Sequence, residues 1–253
     1  MGVSNEVLSK FDPFPGDGLG WVKDEADDRD FLYEASGEPL PVKAVAPNQF
    51  RTNALGSVVN QDGEPSCVAY SGDSISQHLN IENPDLARSL ALGIDASEMY
   101  AECKKRDGIP NIPGTYIRVC ASIAVERGFL VRPIPATRTL PAYPGGYVKF
   151  GSYTRIRSIQ DMKDAIFTNG PVWFGMAVDD GIYDATYDRP RLPEPTGNVI
   201  GGHAMVAVGY SDTAGGFWVK NSWGNHYGRL GYCRIPYSWF EMYSDFDAWI
   251  CTA

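Results

Sequence analysis

Apolar residues follow helical spacing in the first half of the chain and gather into short, strand-like runs in the second half. Val68, Gly72, Ile75 and Leu79 recur at helical spacing, which predicts a helix that begins near Cys67. A proline two residues before that cysteine suits a helix start, because its missing N–H costs no hydrogen bond there. The same spacing predicts further helices over residues 84–92, 98–105, 115–128 and 158–168. β-Branched and aromatic runs between glycine-rich turns predict strands over residues 172–178, 203–210, 216–220 and 231–235.

This order of elements indicates an α+β protein with two subdomains and a cleft between them. We expect a mainly helical subdomain over residues 41–147 and a mainly β subdomain over residues 148–253. Residues 1–40 mix proline, glycine and acidic residues without sustained periodicity, which indicates an N-terminal arm on the surface. Its apolar residues, Trp21 among them, leave three readings open: a solvated tail, a strap packed on its own domain, or a cover for the cleft.

Charge and composition exclude several classes of function. The chain has 22 basic and 31 acidic residues, and ten of the acidic residues lie in the first forty positions. This balance argues against a nucleic-acid or anionic-membrane partner. No run is long and apolar enough for a membrane span, and the first ten residues lack the apolar stretch of a secretion signal. The location stays unknown, with the cytoplasm favoured.

Five cysteines are present, so at least one thiol is unpaired. No pair has the C-x-x-C spacing of a zinc or redox site, and we expect neither a metal nor a cofactor. Cys103, Cys120, Cys233 and Cys251 are most simply core thiols, although a contact between Cys233 and Cys251 is left open.

Three short motifs carry the chemistry: NQDGEPSC at residues 60–67, GGHA at residues 201–204 and NSWG at residues 221–224. Peptide hydrolysis through an acyl-enzyme needs an ionised nucleophile, a proton donor for the leaving amine and donors that face the oxyanion. Cys67 can supply the nucleophile, His203 the proton, and Asn221 an oxygen that orients the imidazole ring. Taken singly, the same cysteine and histidine are more simply buried core residues. His78 and His226 carry no motif and are expected on a helix surface and in a loop.

A cysteine at a helix start, a histidine 136 residues later and an Asn-Ser-Trp 18 residues beyond it resemble the papain-like cysteine proteases. The resemblance runs from about residue 40 to the end and is richest in GGHAMVAVGY and FWVKNSWGNHYGRLGYCRI. Residues 20–33 look like the short leader of bacterial-type members that lack the long propeptide. The resemblance implies the papain-like fold, a helical left half and an antiparallel β-barrel-like right half with the active-site cleft between them. It also makes Gln61 the oxyanion-hole residue, which would act with the backbone N–H of Cys67.

The family's thiolate has a pKa of roughly 3–4 against 8.5 for a free thiol, a difference of about 6–7 kcal/mol. A helix N-terminus supplies up to about 2 kcal/mol. The remainder must come from a protonated His203, so we expect Cys67 and His203 to rest as an ion pair. Trp223 is expected to shield the hydrogen bond between His203 and Asn221 from water.

The resemblance also implies a substrate cleft for an extended peptide or protein segment, which pairs like an added strand. Its expected lining residues are Pro65, Ser66, Gly114, Thr115, Tyr116, Ile117, Gly202, Ala204 and Trp223. No histidine lies between residues 79 and 202, so the paired-histidine loop of carboxydipeptidase members is missing and an endopeptidase is expected.

The chain departs from the family pattern around the nucleophile. Glu64 and Pro65 stand where the family has cysteine and glycine, and Ile112 stands at the partner cysteine, so both halves of that disulfide are absent. Val68 and Tyr227 replace two tryptophans. These changes motivate an alternative, a weakly active or inactive papain-fold protein with a binding or structural role. Acyl transfer to an amine by the same residues is a third reading.

Overall fold

The computed structural model describes residues 18–27, 30, 47–52, 56–80, 93–136 and 142–253 of the 253-residue chain. Its α-helices are α1 Cys67–Leu79, α2 Ala96–Arg106, α3 Ile117–Glu126, α4 Ile159–Thr168 and α5 Tyr237–Met242. Its strands are β1 Gln49–Arg51, β2 Phe129–Val131, β3 Gly146–Val148, β4 Ser152–Ile156, β5 Val172–Asp179, β6 Val199–Ser211, β7 Gly216–Lys220, β8 Tyr232–Pro236 and β9 Asp247–Thr252. A 3₁₀ turn, Asp180–Asp184, follows β5.

The long helical patterns are confirmed. Helix α1 begins at Cys67 as predicted, and α3 ends at a glycine cap in which Gly128 has φ +95° and donates to the carbonyl of Ile123. Helix α4 is capped by Ser158, whose hydroxyl accepts the backbone N–H of Asp161. The predicted helix over residues 84–92 lies outside the described residues.

The main sheet is antiparallel, with strand order β4-β9-β5-β6-β7-β8 and β1 paired with the end of β6. The strand predicted over residues 203–210 is longer than expected, and β6 is almost entirely buried because both of its faces are covered. Met176 lies opposite His203 in the β5–β6 register, which fixes the histidine at the centre of the sheet.

Two apolar cores flank this sheet. Helices α1, α2 and α3 cover one face, where Ile75, Met99 and Ile117 pack with Trp173 and Trp249 of the strands. Helices α4 and α5 belong to the core on the other side, built mainly from sheet residues. The helical half, the antiparallel half and the cleft between them confirm the α+β, papain-like architecture. The domain boundaries at residues 40 and 147 stay a prediction.

All five cysteines are buried free thiols. Cys233 belongs to the core around α4 and α5, whereas Cys251 belongs to the core under α1 to α3. The contact between Cys233 and Cys251 that the sequence left open is therefore not made. In the part of the chain that is described, no helix combines the length and the apolar character needed to cross a membrane.

Candidate active site

Cys67 is the first residue of α1 and is completely buried. The preceding residue, Ser66, makes no side-chain cap, so the first-turn amides of the helix are left to other partners. The Sγ atom accepts the backbone N–H of Ala204 at 3.4 Å. Burial raises the pKa of the Cys67 thiol to about 12, and the backbone N–H groups of Ala204 and Gly20 oppose this rise only in part.

His203 lies in the middle of β6 and is also completely buried. Its Nε2 is 2.8 Å from Oδ1 of Asn221. The same Oδ1 accepts the backbone N–H of Ser222 at 2.8 Å, and this fixes the orientation of the amide because a backbone N–H can only donate. The Nε2 atom therefore carries the proton, and Nδ1 of the neutral ring is left as the acceptor. Burial lowers the pKa of His203 to about 4, against the opposing hydrogen bond to Asn221.

Trp223 covers the imidazole as expected. Its ring stacks on His203 with centroids 4.6 Å apart and on Tyr183 with centroids 5.5 Å apart. Tyr227, which replaces a family tryptophan, meets the edge of Trp223 at 5.0 Å and donates its hydroxyl to the carbonyl of Ile182 at 2.9 Å. The replacement therefore preserves an aromatic wall beside the histidine.

Gln61 lies in the loop before α1 and is almost completely buried. Its Nε2 donates to the carbonyl oxygens of Gly18 at 2.7 Å and Glu64 at 2.6 Å. Its Oε1 accepts the hydroxyl of Ser222 at 2.6 Å, and its backbone N–H donates to the Ser222 carbonyl at 3.0 Å. Ser222 is a functional candidate that the sequence reasoning passed over, although it lies inside the Asn-Ser-Trp motif. It joins the glutamine loop to the asparagine loop.

Residues 20–22 of the N-terminal arm pair with the cleft wall like an added strand. The backbone N–H groups of Gly20 and Trp21 donate to the carbonyl of Gly202, each at 3.0 Å. Val22 donates to the carbonyl of Thr115 at 3.0 Å, and the Thr115 N–H donates to Gly20 at 2.9 Å. Trp21 and Thr115 thereby form a parallel bridge. Residues 18–22 thus lie against the cleft wall, and which of the three readings holds for the arm stays a prediction.

Close backbone approach requires glycine on both sides of this contact. A Cβ on Gly20 would overlap the Pro65 carbonyl, and a Cβ on Gly114, which has φ +89°, would overlap Gly20. The Trp21 indole lies against Gly175, where a Cβ would overlap the ring. Trp21 is only 4% exposed in this position.

Most of the residues predicted to line a substrate cleft do surround the arm. The backbone of Thr115 and Gly202 pairs with it, Pro65 and Gly114 lie against Gly20, and Ala204 contacts the thiol. The others lie at the ends or walls of the same region: Ser66 before α1, Tyr116 at the cap of α3, Ile117 in the core with Trp21, and Trp223 on the histidine. Their roles toward a substrate stay predictions.

Burial of Cys67 and His203 bears on the ion pair that the sequence predicts. Burial favours the neutral thiol of Cys67 and the neutral imidazole of His203, so the resting ion pair is not the state that this arm-covered geometry favours. The physical reason is desolvation, because both groups are completely buried: Gly20 of the arm lies against the thiol, and Trp223 stacks on the imidazole. For a cleft without the arm, the ion pair stays a prediction.

A lysine holds the loop in which the family has a disulfide. Lys104 donates to the carbonyl oxygens of Ile109, Ile112 and Gly114 at 2.8, 2.8 and 2.9 Å and pairs with Asp107 at 2.7 Å. Glu64 stands at the position of the other cysteine of that family disulfide, and its carboxylate accepts a hydrogen bond from the hydroxyl of Ser97 at 2.8 Å. The cleft wall that ends at Gly114 is therefore tied down without a covalent bond.

The described residues bring together no group of three or more His, Cys, Asp or Glu side chains suited to a metal ion. The site combines a cysteine, a neutral histidine and two amide side chains in a covered cleft. These are the functional groups that acyl-group chemistry uses.

Comparisons with known proteins agree with this geometry. The family model described as "Papain family cysteine protease" matches residues 141–243. The structure of xylellain, a cysteine protease from Xylella fastidiosa, superposes with a TM-score of 0.76 at 25% identity, covering 94% of this chain and 97% of xylellain. Procathepsin B from Trypanosoma congolense shares the fold with a TM-score of 0.67 at 17% identity, covering 93% of this chain and 86% of that one.

Among curated proteins, a peptidase C1-like protein of Acanthamoeba polyphaga mimivirus is 34% identical over 98 residues, 36% of this chain and 31% of that protein. Cathepsin L of Sarcophaga peregrina is 26% identical over 198 residues, 72% of this chain and 56% of the cathepsin. The matches thus span about a third to about half of these relatives. In its fold, in the residues that meet in the cleft and in these matches, the chain is similar to the papain-like cysteine proteases.

Proposed function

We propose that the chain is a cysteine endopeptidase that hydrolyses peptide bonds through a thioester acyl-enzyme. The observation that carries the proposal is the meeting of Gln61, Cys67, His203 and Asn221 in one cleft between the helices and the sheet. Each has the chemistry that one step of acyl transfer needs.

The reaction starts with transfer of the Cys67 proton to Nδ1 of His203. Because Nε2–H is held by Asn221, Nδ1 is the nitrogen with a free lone pair. The thiolate attacks the substrate carbonyl, and the oxyanion is met by Nε2 of Gln61 and by the Cys67 amide at the start of α1. His203 then returns the proton to the leaving amine. Water, deprotonated by the same imidazole, hydrolyses the thioester and restores the thiol.

The arm-covered state is a resting form that does not turn over. The thiol faces the backbone N–H of Gly20, which offers no carbonyl carbon for attack. The oxyanion donor Gln61 is already occupied by the carbonyl of Gly18. Burial also keeps the thiol and the imidazole neutral. Catalysis therefore requires residues 18–22 to leave the cleft, which readmits water and allows the ion pair to form.

The test is hydrolysis of fluorogenic peptides by the full chain, the Trp21→Ala variant and the Trp21→Ala/Cys67→Ala double variant. Trp21→Ala loosens the arm, so we expect it to turn substrate over faster than the wild type. The double variant should be inactive while it unfolds at the same temperature as Trp21→Ala. Turnover that survives the loss of Cys67 would contradict the proposal.

A second candidate is a binding protein that kept the fold without the activity. Pro65 lies against the arm, Val68 is fully buried behind the nucleophile, and Cys67 is driven toward the neutral thiol, all of which favour a filled and inert cleft. Alkylation of Cys67 at pH 5 in the Trp21→Ala variant separates the candidates, because only a thiolate reacts there at a normal rate. Rapid alkylation supports the enzyme, and absence of alkylation in a folded variant supports the binding protein.

A further inference from the structure

Beyond the cleft, the arm enters a second set of contacts built from charged groups. Asp24 and Asp30 lie on the arm, and their side chains are almost completely buried. They meet Arg118 of α3 and Arg155 of β4. None of these residues belongs to the machinery described above.

Asp30 is the centre of this contact. Its carboxylate accepts from Nη2 of Arg118 at 2.9 Å and from Nη1 of Arg155 at 3.0 Å. The side chain of Asp30 is 4% exposed and that of Arg155 is 10% exposed. Charge-assisted hydrogen bonds that are shielded from water in this way are stronger and less screened by salt than surface pairs. The carbonyl of Glu25 also accepts from Arg118.

Asp24 makes a different contact with the same surface. Its Oδ2 accepts the backbone N–H of Arg118 at 3.0 Å, in the first turn of α3. The residue that caps α3 from its own chain segment, Tyr116, makes no side-chain cap. The arm therefore supplies the carboxyl group that this helix N-terminus lacks. The backbone N–H of Asp24 also donates to Oδ2 of Asp247 at 2.7 Å.

The receiving surface is held in place by the body of the protein. Arg155 pairs with the fully buried Asp247 of β9. The guanidinium groups of Arg155 and Arg118 also lie over the ring of Trp249, at 5.2 and 5.8 Å from its centroid. These contacts do not involve the arm, so both arginines are positioned for a carboxylate before one arrives.

We propose that Arg118, Arg155 and the N-terminus of α3 form an exosite for acidic peptide, and that its resident ligand is the arm segment bearing Asp24 and Asp30. The exosite joins the helical half to the sheet half. Asp24, which binds it, comes two residues after Val22, the last arm residue that pairs with the cleft wall. Binding of the Asp24 carboxyl group and the Asp30 carboxylate there fixes the register in which residues 18–22 cover Cys67. The inference rests on the arm-covered resting form proposed above.

The test compares two arm contacts in the full chain. Asp30→Asn removes a buried carboxylate from the exosite. Asp245→Asn removes one that pairs with Lys23 of the arm at 3.1 Å outside the exosite and is 41% exposed. Both changes remove one negative charge. We measure hydrogen exchange of the amides in residues 18–24 and the alkylation rate of Cys67 by a neutral reagent.

Asp30→Asn should raise both rates on the order of 10- to 100-fold, as expected from loss of charge-assisted hydrogen bonds. Asp245→Asn should raise them less than about fivefold, because exposed pairs contribute little. Equal effects of the two variants, or no effect of Asp30→Asn, would overturn the exosite. Arg118→Gln and the double variant Asp30→Asn/Arg118→Gln complete a cycle in which the two effects should fall well short of adding. Additive effects would also overturn it.

These readouts do not depend on turnover. An inactive protein whose arm loosens on Asp30→Asn would refute the peptidase and leave the exosite standing. An active peptidase in which Asp30→Asn changes neither arm exchange nor Cys67 alkylation would support the peptidase and overturn the exosite.

Discussion

Replacing Trp21 with alanine tests whether the arm controls access to the nucleophile. Trp21 is 4% exposed and its indole lies against Gly175 and Gly202, so its burial exists only while the arm is docked. Truncating a buried tryptophan to alanine costs about 3–5 kcal/mol. At about 1.4 kcal/mol for each tenfold change, the population with an open cleft should rise about 100- to 4,000-fold.

The assay is alkylation of Cys67 by a small neutral reagent at a low denaturant concentration. The labelled protein is then digested and analysed by mass spectrometry. Because Cys67 has no exposed surface, its modification must pass through an opening of the arm, and the rate reports the open population. The other buried thiols are internal controls, since only unfolding of the body exposes them: Cys103, Cys120, Cys233 and Cys251.

We expect Cys67 labelling to accelerate by at least 100-fold in Trp21→Ala while the four core thiols keep their wild-type rates. Trp21→Phe, which retains most of the apolar surface, should label Cys67 at a rate between those of the wild type and Trp21→Ala. A rise of less than about tenfold for Cys67, or parallel acceleration of all five thiols, would refute the reasoning because the arm would then not be the barrier.

Three further predictions concern residues around the cleft. In the Trp21→Ala background, Ser222→Ala should lower kcat/KM about fivefold, since the Gln61 amide loses one orienting hydrogen bond. Gln61→Ala should lower kcat/KM by about 100-fold or more. A Ser222 effect as large as the Gln61 effect would contradict this ranking. Lys104→Met frees three loop carbonyls, so KM should rise about tenfold with kcat within about twofold, and a selective loss of kcat would contradict the positioning role. Burial raises the pKa of Asp73 from 3.8 to about 7, so the native state keeps a proton that the unfolded state has lost, and the free energy of unfolding should fall as pH rises between these values. Urea titrations at several pH values should show a flatter dependence in Asp73→Asn, and an unchanged slope would contradict the burial argument.

The elements with strong local signals were predictable from the sequence. Helix α1 begins at Cys67, and α3 ends at Glu126 just before the capping Gly128, because a start signal and a C-cap glycine act within a few residues. The edge strand β4 and the closing strand β9 were not predicted, since each depends on a partner far along the chain: Ser152 pairs with Thr252.

The spacing of three motifs in the sequence was enough to name the candidate site residues, whereas it gave no sign that Cys67 and His203 would be completely buried. The expected ion pair of Cys67 and His203 assumed access to water, whereas burial raises the pKa of the thiol and lowers that of the imidazole. Neither residue type by itself indicates that burial, because it depends on the residues packed around it in the folded chain.

The cover of the cleft was one of three readings of the arm, and a sequence signal for it did exist. Gly18, Leu19, Gly20 and Trp21 alternate small and large residues, which suits an extended segment whose backbone approaches another backbone closely. The roles of Arg118 and Arg155 had no such signal, because the two residues converge only in the folded chain.

The most direct test of the central claim, that Cys67 is the nucleophile of a peptidase cleft covered by the arm, is intact mass after reaction with an epoxysuccinyl peptide at mildly acidic pH. The account predicts one adduct, formed slowly by the wild type, rapidly by Trp21→Ala, and not at all by Trp21→Ala/Cys67→Ala. No adduct on folded Trp21→Ala, or an adduct that persists without Cys67, would contradict it.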